Sequence, residues 1–138
     1  MKTASWARIL SIGMTLFLIG CSMGRDEAKQ GVAEFRARVS QHAFSEVYQT
    51  SDPAFQRAVA EDKFVQFMTA LDRKLGPWQS AADPGWNVTR TTSGHFVKLV
   101  YQSQFAKGAA AEEFTWQIQS GRPSLVGYYV NSPLLVTE

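Results

Sequence analysis

Two histidines are the side chains in this chain that could exchange protons near neutral pH. His95 opens a run of alternating residues and therefore shares one strand face with Val97, Leu99 and Tyr101. If that face lines a pocket, His95 is a candidate catalytic base, and the pattern suggests Asp72 as its carboxylate partner. The simpler interpretation is a histidine beside a turn, with its ring half in solvent.

Other reactive combinations are missing from the sequence. His42 lies in a helical region, and no carboxylate is placed to complete a metal-ligand set with either histidine. No serine lies in a nucleophile elbow, and no glycine-rich phosphate loop follows a strand. The sequence therefore predicts no metal site and no cofactor.

Cys21 is the single cysteine, and its position indicates an attachment point. A basic start is followed by an apolar segment of twelve residues, from Ile9 to Gly20, which suits a secretory signal core. A bilayer-spanning helix needs roughly 20 apolar residues, so this segment is too short for a permanent anchor.

The run Leu18-Ile19-Gly20-Cys21 resembles the bacterial lipoprotein signal. The resemblance implies a signal peptide over residues 1–20, cleavage between Gly20 and Cys21, and three acyl chains such as palmitate on the cysteine. Three chains would hold the protein firmly in the membrane, facing the periplasm of a bacterial cell envelope. Ser22, which is not aspartate, favours the outer membrane over the inner one. The alternatives are an ordinary cleaved signal with an incidental cysteine, or an uncleaved apolar N-terminus.

The charge balance argues against nucleic acid as a partner. The chain of 138 residues has 14 basic and 12 acidic side chains, but Lys2 and Arg8 would leave with the signal peptide. The mature chain is then formally neutral with scattered charges, and it lacks the basic surface that nucleic acid requires.

The mature chain reads as one domain after a short tether. Residues 21–30 are small and charged, which is typical of a lipidated tether, and residues 31–138 form a single domain. A helix is predicted from about residue 26 or 30 to Gln49 with a break near His42. A short helix from Pro53 to about Ala60 follows the capping residue Asp52. The clearest helix carries the apolar stripe Phe64, Phe67, Met68, Leu71 and Leu75.

From residue 86 the period changes to two, which predicts four antiparallel strands. They cover residues 86–91, 95–105, 114–119 and 125–131, with a loop at 107–111. Both faces of the last strand are apolar, and Tyr128 and Tyr129 point to opposite faces. We therefore expect Tyr128, with Val126 and Val130, to form an exposed interaction surface.

Helices followed by strands define an α+β domain, with N-terminal helices packed on a curved antiparallel sheet of about four strands. The stretches that support a resemblance are Phe55 to Gly76, Gly85-Trp86-Asn87-Val88, Val97 to Tyr101, Glu113 to Trp116 and Leu125 to Ser132. They resemble small proteobacterial lipoproteins of unassigned function, domain of unknown function 4019. The order of elements resembles the nuclear-transport-factor-2-like (cystatin-like) cone. The family has no established activity or catalytic residues that could be carried over to this chain.

Three functional hypotheses remain open. The first is a lipid-anchored, non-enzymatic module that binds an envelope protein, a second copy of itself or a small apolar ligand in an aromatic cone. The second is a small pocket enzyme of the isomerase or dehydratase type using His95 and Asp72, an analogy at the level of the fold. The third is a passive stress or assembly lipoprotein without a ligand.

Overall fold

The computed structural model describes residues 24–136, so the signal segment, the cleavage site and Cys21 lie outside the described residues. Four helices come first: α1 Arg25–Ser40, α2 Phe44–Gln49, α3 Pro53–Ala58 and α4 Glu61–Leu75. The strands follow: β1 Trp78–Ala81, β2 Gly85–Thr91, β3 Gly94–Phe105, β4 Gly108–Gln119 and β5 Arg122–Asn131, before a short 3-10 helix, Pro133–Leu135. This order confirms the predicted α+β class.

The strands of the described region form one antiparallel sheet organised around β3. β4 pairs with β3 along its length, and β5 pairs with β4. The opposite edge of β3 is divided between β2, which pairs with residues 94–100, and β1, which pairs with residues 103–105. The sequence prediction missed β1, because four residues are too few to show a period of two.

The predicted helix boundaries are confirmed at three places. α1 and α2 are separated at His42, which has a φ of 56°. The side chain of Asp52 accepts a hydrogen bond from the backbone N–H of Ala54 at 2.8 Å and caps α3. α4 ends before Gly76. Among the described residues, no helix is long and apolar enough to cross a membrane.

Three local predictions differ from the structure. α1 begins at Arg25, next to the earlier of the two predicted helix starts, so residues 25–30 are helical and not a tether, because Ala28 and Val32 already bury the inner face of the helix. Residues 108–111, predicted as loop, belong to β4, and Ala110 faces the core. Phe67 is 42% exposed, because it lies at the edge of a narrower buried stripe on α4.

The core lies between the helices and the inner face of the sheet. On β3 the predicted inward set is buried: Val97, Leu99, Tyr101, Ser103 and Phe105. Gly31 brings α1 close to this face, since a Cβ there would lie only 2.9 Å from the Trp116 ring. Phe35 then contacts Phe114 edge to face, with ring centroids 5.0 Å apart. This close packing places the second half of α1 over the centre of the sheet.

Candidate functional site

A pocket of about 210 Å³ lies between the C-terminal halves of α1 and α4 and the end of the sheet nearest Phe105; we call it the α1–α4 pocket. Its walls are mainly apolar and are formed by Phe35, Val39, Met68, Leu71, Leu75, Pro77 and Phe105. Ser40, His42, Asp72 and Trp78 are half-buried or exposed lining residues that carry polar groups, and they form its mouth. Arg36, Glu112 and Tyr128 form its floor.

The floor contains a carboxylate that is removed from water. Glu112 is only 2% exposed, because it shares the inward face of β4 with Phe114. Its Oε2 accepts hydrogen bonds from Arg36 Nη1 at 2.9 Å and from Ser103 Oγ at 2.5 Å. Its Oε1 accepts one from the Tyr128 hydroxyl at 2.8 Å. Three donors, one of them charged, offset the cost of burying this group.

The partner of this carboxylate, Arg36, is enclosed by aromatic rings. Its Cζ lies 4.2 Å from the ring centroid of Trp78, 5.1 Å from that of Tyr101 and 5.7 Å from that of Phe114. These distances lie within the range of cation–π attraction. The Ser103 hydroxyl, which donates to Glu112, accepts from Arg36 Nη2 at 3.4 Å and from the Trp78 indole at 3.3 Å. One ion pair therefore joins α1 to four strands of the sheet.

The buried surroundings also hold two phenols in their protonated form. Burial raises the pKa of Tyr128 well above its ordinary value, and the neighbouring Glu112 carboxylate acts in the same direction. Burial likewise raises the pKa of Tyr101. The Tyr128 hydroxyl therefore remains a hydrogen-bond donor to Glu112 throughout the neutral pH range.

The predicted pairing of His95 with Asp72 is not what the structure shows. Asp72 is at the mouth of the α1–α4 pocket, where its Oδ2 lies 3.0 Å from Nε2 of His42. His95 does not line this pocket; its ring packs against Gly24 at the start of α1. Strand parity predicts which face of the sheet His95 lies on but not its distance from Asp72, so the sequence could not test this pairing. Among residues 24–136, no three His, Cys, Asp or Glu side chains are placed to hold a metal ion.

The predicted interaction surface on β5 is also corrected. The Tyr128 ring packs inside, 4.9 Å from the ring centroids of both Phe35 and Phe114, and Val130 is 8% exposed. Val126 is an extra residue in the pairing with β4: Trp116 pairs with Leu125 and Thr115 with Gly127. This β-bulge lets Leu125 and Tyr128 face inward although they are three positions apart. Tyr129 is the exposed tyrosine, at 63%.

The sequence prediction missed the floor network for an identifiable reason. Continuing the alternation of Phe114 and Trp116 backward by one step would have placed Glu112 on the inward face. Because the predicted strand began at Phe114, Glu112 was left outside it. No pattern in the sequence indicates that Arg36 contacts Glu112, since the two residues are 76 positions apart.

Comparison with family models gives one match, to the family described as protein of unknown function (DUF4019), over residues 32–128. The match covers about 70% of the chain and every residue that lines the α1–α4 pocket. The chain belongs to this family. The predicted resemblance to domain of unknown function 4019 is thus confirmed. No curated protein matches the chain. In this chain the α1–α4 pocket lies entirely within the matched limits of the DUF4019 domain.

The stability of the DUF4019 domain should depend on the Arg36–Glu112 pair as a unit. Arg36→Met and Glu112→Gln each leave the other charge buried without a counter-charge, so each should lower the free energy of unfolding by about 3–5 kcal/mol. The double variant should lose less than the sum of the two, and urea unfolding measures all four proteins.

The control pair is Lys98 and Glu113, which form an exposed salt bridge of 2.7 Å on the other face of the same strands. Lys98→Met and Glu113→Gln should couple by no more than about 1 kcal/mol. Equal coupling energies for the two pairs would contradict the role given to the buried pair.

Tyr128 should make the domain sensitive to alkaline pH. Its folded pKa is raised, so the folded state holds the phenol proton more tightly than the unfolded state, and stability declines as pH rises above the unfolded value of about 10. Tyr128→Phe should flatten the decline in unfolding free energy between about pH 9.5 and 11. The comparison is Tyr129→Phe on the exposed face, which should keep the wild-type slope; an unchanged slope in Tyr128→Phe would refute the assignment.

Proposed function

We propose that the chain is a lipid-anchored envelope protein whose DUF4019 domain binds a small, mainly apolar molecule in the α1–α4 pocket. The observation that carries this proposal is the pocket itself: an apolar cavity with its charged floor groups already paired. Ligand sites of this kind combine apolar walls with a few placed polar groups. The lipid anchor is inferred from the Cys21 signal, and the binding role from the pocket.

The arrangement of charges favours an apolar ligand over an ionic one. The Glu112 carboxylate is paired with Arg36 and accepts two further hydrogen bonds, which leaves little charge on the floor for a ligand to neutralise. A ligand would gain free energy chiefly by covering the walls formed by Val39, Met68 and Leu71.

The size of the pocket limits what it would hold. Its volume of about 210 Å³ is below the range of about 300–1,000 Å³ that is usual for drug-sized ligands. A single aromatic ring or a short acyl segment fits this volume. Ser40 and the His42–Asp72 pair lie at the mouth, where a polar end of such a molecule would emerge into water.

Filling the pocket should weaken binding of a small apolar probe. Toluene, a single aromatic ring of the size that the pocket holds, should bind the folded domain at one site. Val39→Trp places an indole in the cavity from a half-buried wall position and should weaken binding at least about tenfold, which corresponds to about 1.4 kcal/mol. Isothermal titration calorimetry gives the dissociation constants.

The matched control is Val65→Trp, which changes another half-buried valine, on α4, outside the pocket lining. It should bind the probe as the wild type does. The binding proposal fails if the wild type does not bind the probe, or if both tryptophan variants bind it equally well.

The anchor is tested at Cys21. Cys21→Ser removes the acceptor thiol, so the variant should lose incorporation of labelled palmitate and move out of the membrane fraction, because stable anchoring requires several acyl chains. Gel fluorography of cells fed an alkyne fatty acid measures the label. Ser22→Ala, beside the cysteine, should keep both label and membrane location; a labelled Cys21→Ser protein would exclude this anchor.

A further inference from the structure

We infer that the end of the domain around Gly24 lies directly against the membrane surface and that the α1–α4 pocket opens away from it. The inference rests on the proposed lipidation of Cys21, but goes beyond it. An acylated protein on a long tether would have no preferred orientation, whereas a short, packed junction imposes one.

The junction is short by covalent geometry. Three residue steps separate Cys21 from Gly24, and an extended chain spans at most about 3.6 Å per residue, so the two Cα atoms lie within about 11 Å of each other. Gly24 is buried and is part of the folded domain. Its φ is 84°, and a Cβ there would come within 2.7 Å of the His95 ring. The packed part of the domain therefore begins three residues after the proposed lipidation site.

The neighbours of Gly24 identify the part of the domain that faces the bilayer. A Cβ at Gly24 would also lie 3.0 Å from Cγ1 of Ile118, so both contacts are at the same end of the sheet, where β3 begins and β4 ends. The two turns that close this end of the sheet are residues 92–93 and residues 120–121, so they lie at the same end of the domain as Gly24.

The side chains at this end suit a phospholipid surface. Thr92 and Ser93 are exposed hydroxyl residues of the β2–β3 turn, and Arg90 and Arg122 are exposed on the strands that enter and leave the two turns. Guanidinium groups form paired hydrogen bonds with phosphate oxygens. Two acidic residues in the first turn of α1 belong to the same end, Asp26 and Glu27, so the attraction comes from individual headgroup contacts more than from net charge.

The mouth of the pocket is at the other end of the domain. α1 runs from Arg25 beside the junction to Ser40 at the mouth, and fifteen residue steps of helix span about 22 Å. β3 runs in the same sense, from Gly94 near the junction to Phe105 in the pocket wall, over about 36 Å. With the Gly24 end on the bilayer, the pocket opens about 20 Å away from it and samples the periplasmic solution.

Depth-dependent quenching tests this orientation on the full, lipidated chain. Its natural thiol is acylated, so one introduced cysteine is the labelling site for a fluorophore. Thr92→Cys marks the end beside Gly24 and Gln41→Cys marks the mouth; both positions are exposed. In vesicles of phosphatidylethanolamine and phosphatidylglycerol with a nitroxide headgroup lipid, the label at 92 should be quenched at least about twofold more strongly, because about 22 Å of helix α1 separates the two ends of the domain.

A flexible insertion provides the control for the packed junction. About ten glycine and serine residues inserted between Met23 and Gly24 should make the two labels equally quenched, since such linkers behave as random coils. Mass spectrometry of the N-terminal peptide is done on the same preparation. A chain without acyl groups on Cys21 would overturn both the anchor and the orientation. An acylated chain with equal quenching at both positions, or with stronger quenching at 41, would overturn the orientation alone.

Discussion

The ion pair between Arg36 and Glu112 is the constraint on which the inner structure depends. A carboxylate that is 2% exposed is stable only when its oxygens meet donors, and here the donors come from α1, β3 and β5. Trp78 on β1 completes the network: its indole N–H donates a hydrogen bond to the Ser103 hydroxyl, and the face of its ring covers the Arg36 guanidinium. These contacts set how closely α1 approaches the sheet and where the α1–α4 pocket ends.

The same interaction explains why the pocket is apolar above a charged floor. Because the floor groups are already paired, they need no counter-charge or hydrogen-bond partner from a ligand. The walls above them are formed by apolar side chains, which are poorly solvated by water. The short strand β1 contributes by bringing Trp78 to the mouth, where it is 39% exposed. A strand of four residues at the divided edge of β3 thus positions an aromatic side chain between the network and solvent.

Local periodicity predicted most of the fold and little of the site. The apolar stripe of α4, the break at His42 and the alternation of β3 are signals within one element, and each one is present in the structure. The network needs partners that are distant in sequence, so no local pattern could pair Arg36 with Glu112. The side of the sheet on which Tyr128 lies was predicted wrongly, because the bulge at Val126 reverses the alternation of inward and outward residues. No distinctive residue type marks a bulge of this kind in the sequence.

That bulge has a consequence for how the gene could vary in length. Removing Val126 would leave Leu125 opposite Trp116 and Gly127 opposite Thr115, which is regular pairing, and Tyr128 would still meet Glu112. Loss of Gly127 has the same effect, because Val126 can then take the place opposite Thr115 and the bulge disappears. Loss of Tyr129 instead shifts every later residue of β5 to the opposite face and turns the buried Val130 outward. Relatives with a shorter fifth strand should therefore have their deletions beside the bulge and not after the tyrosine.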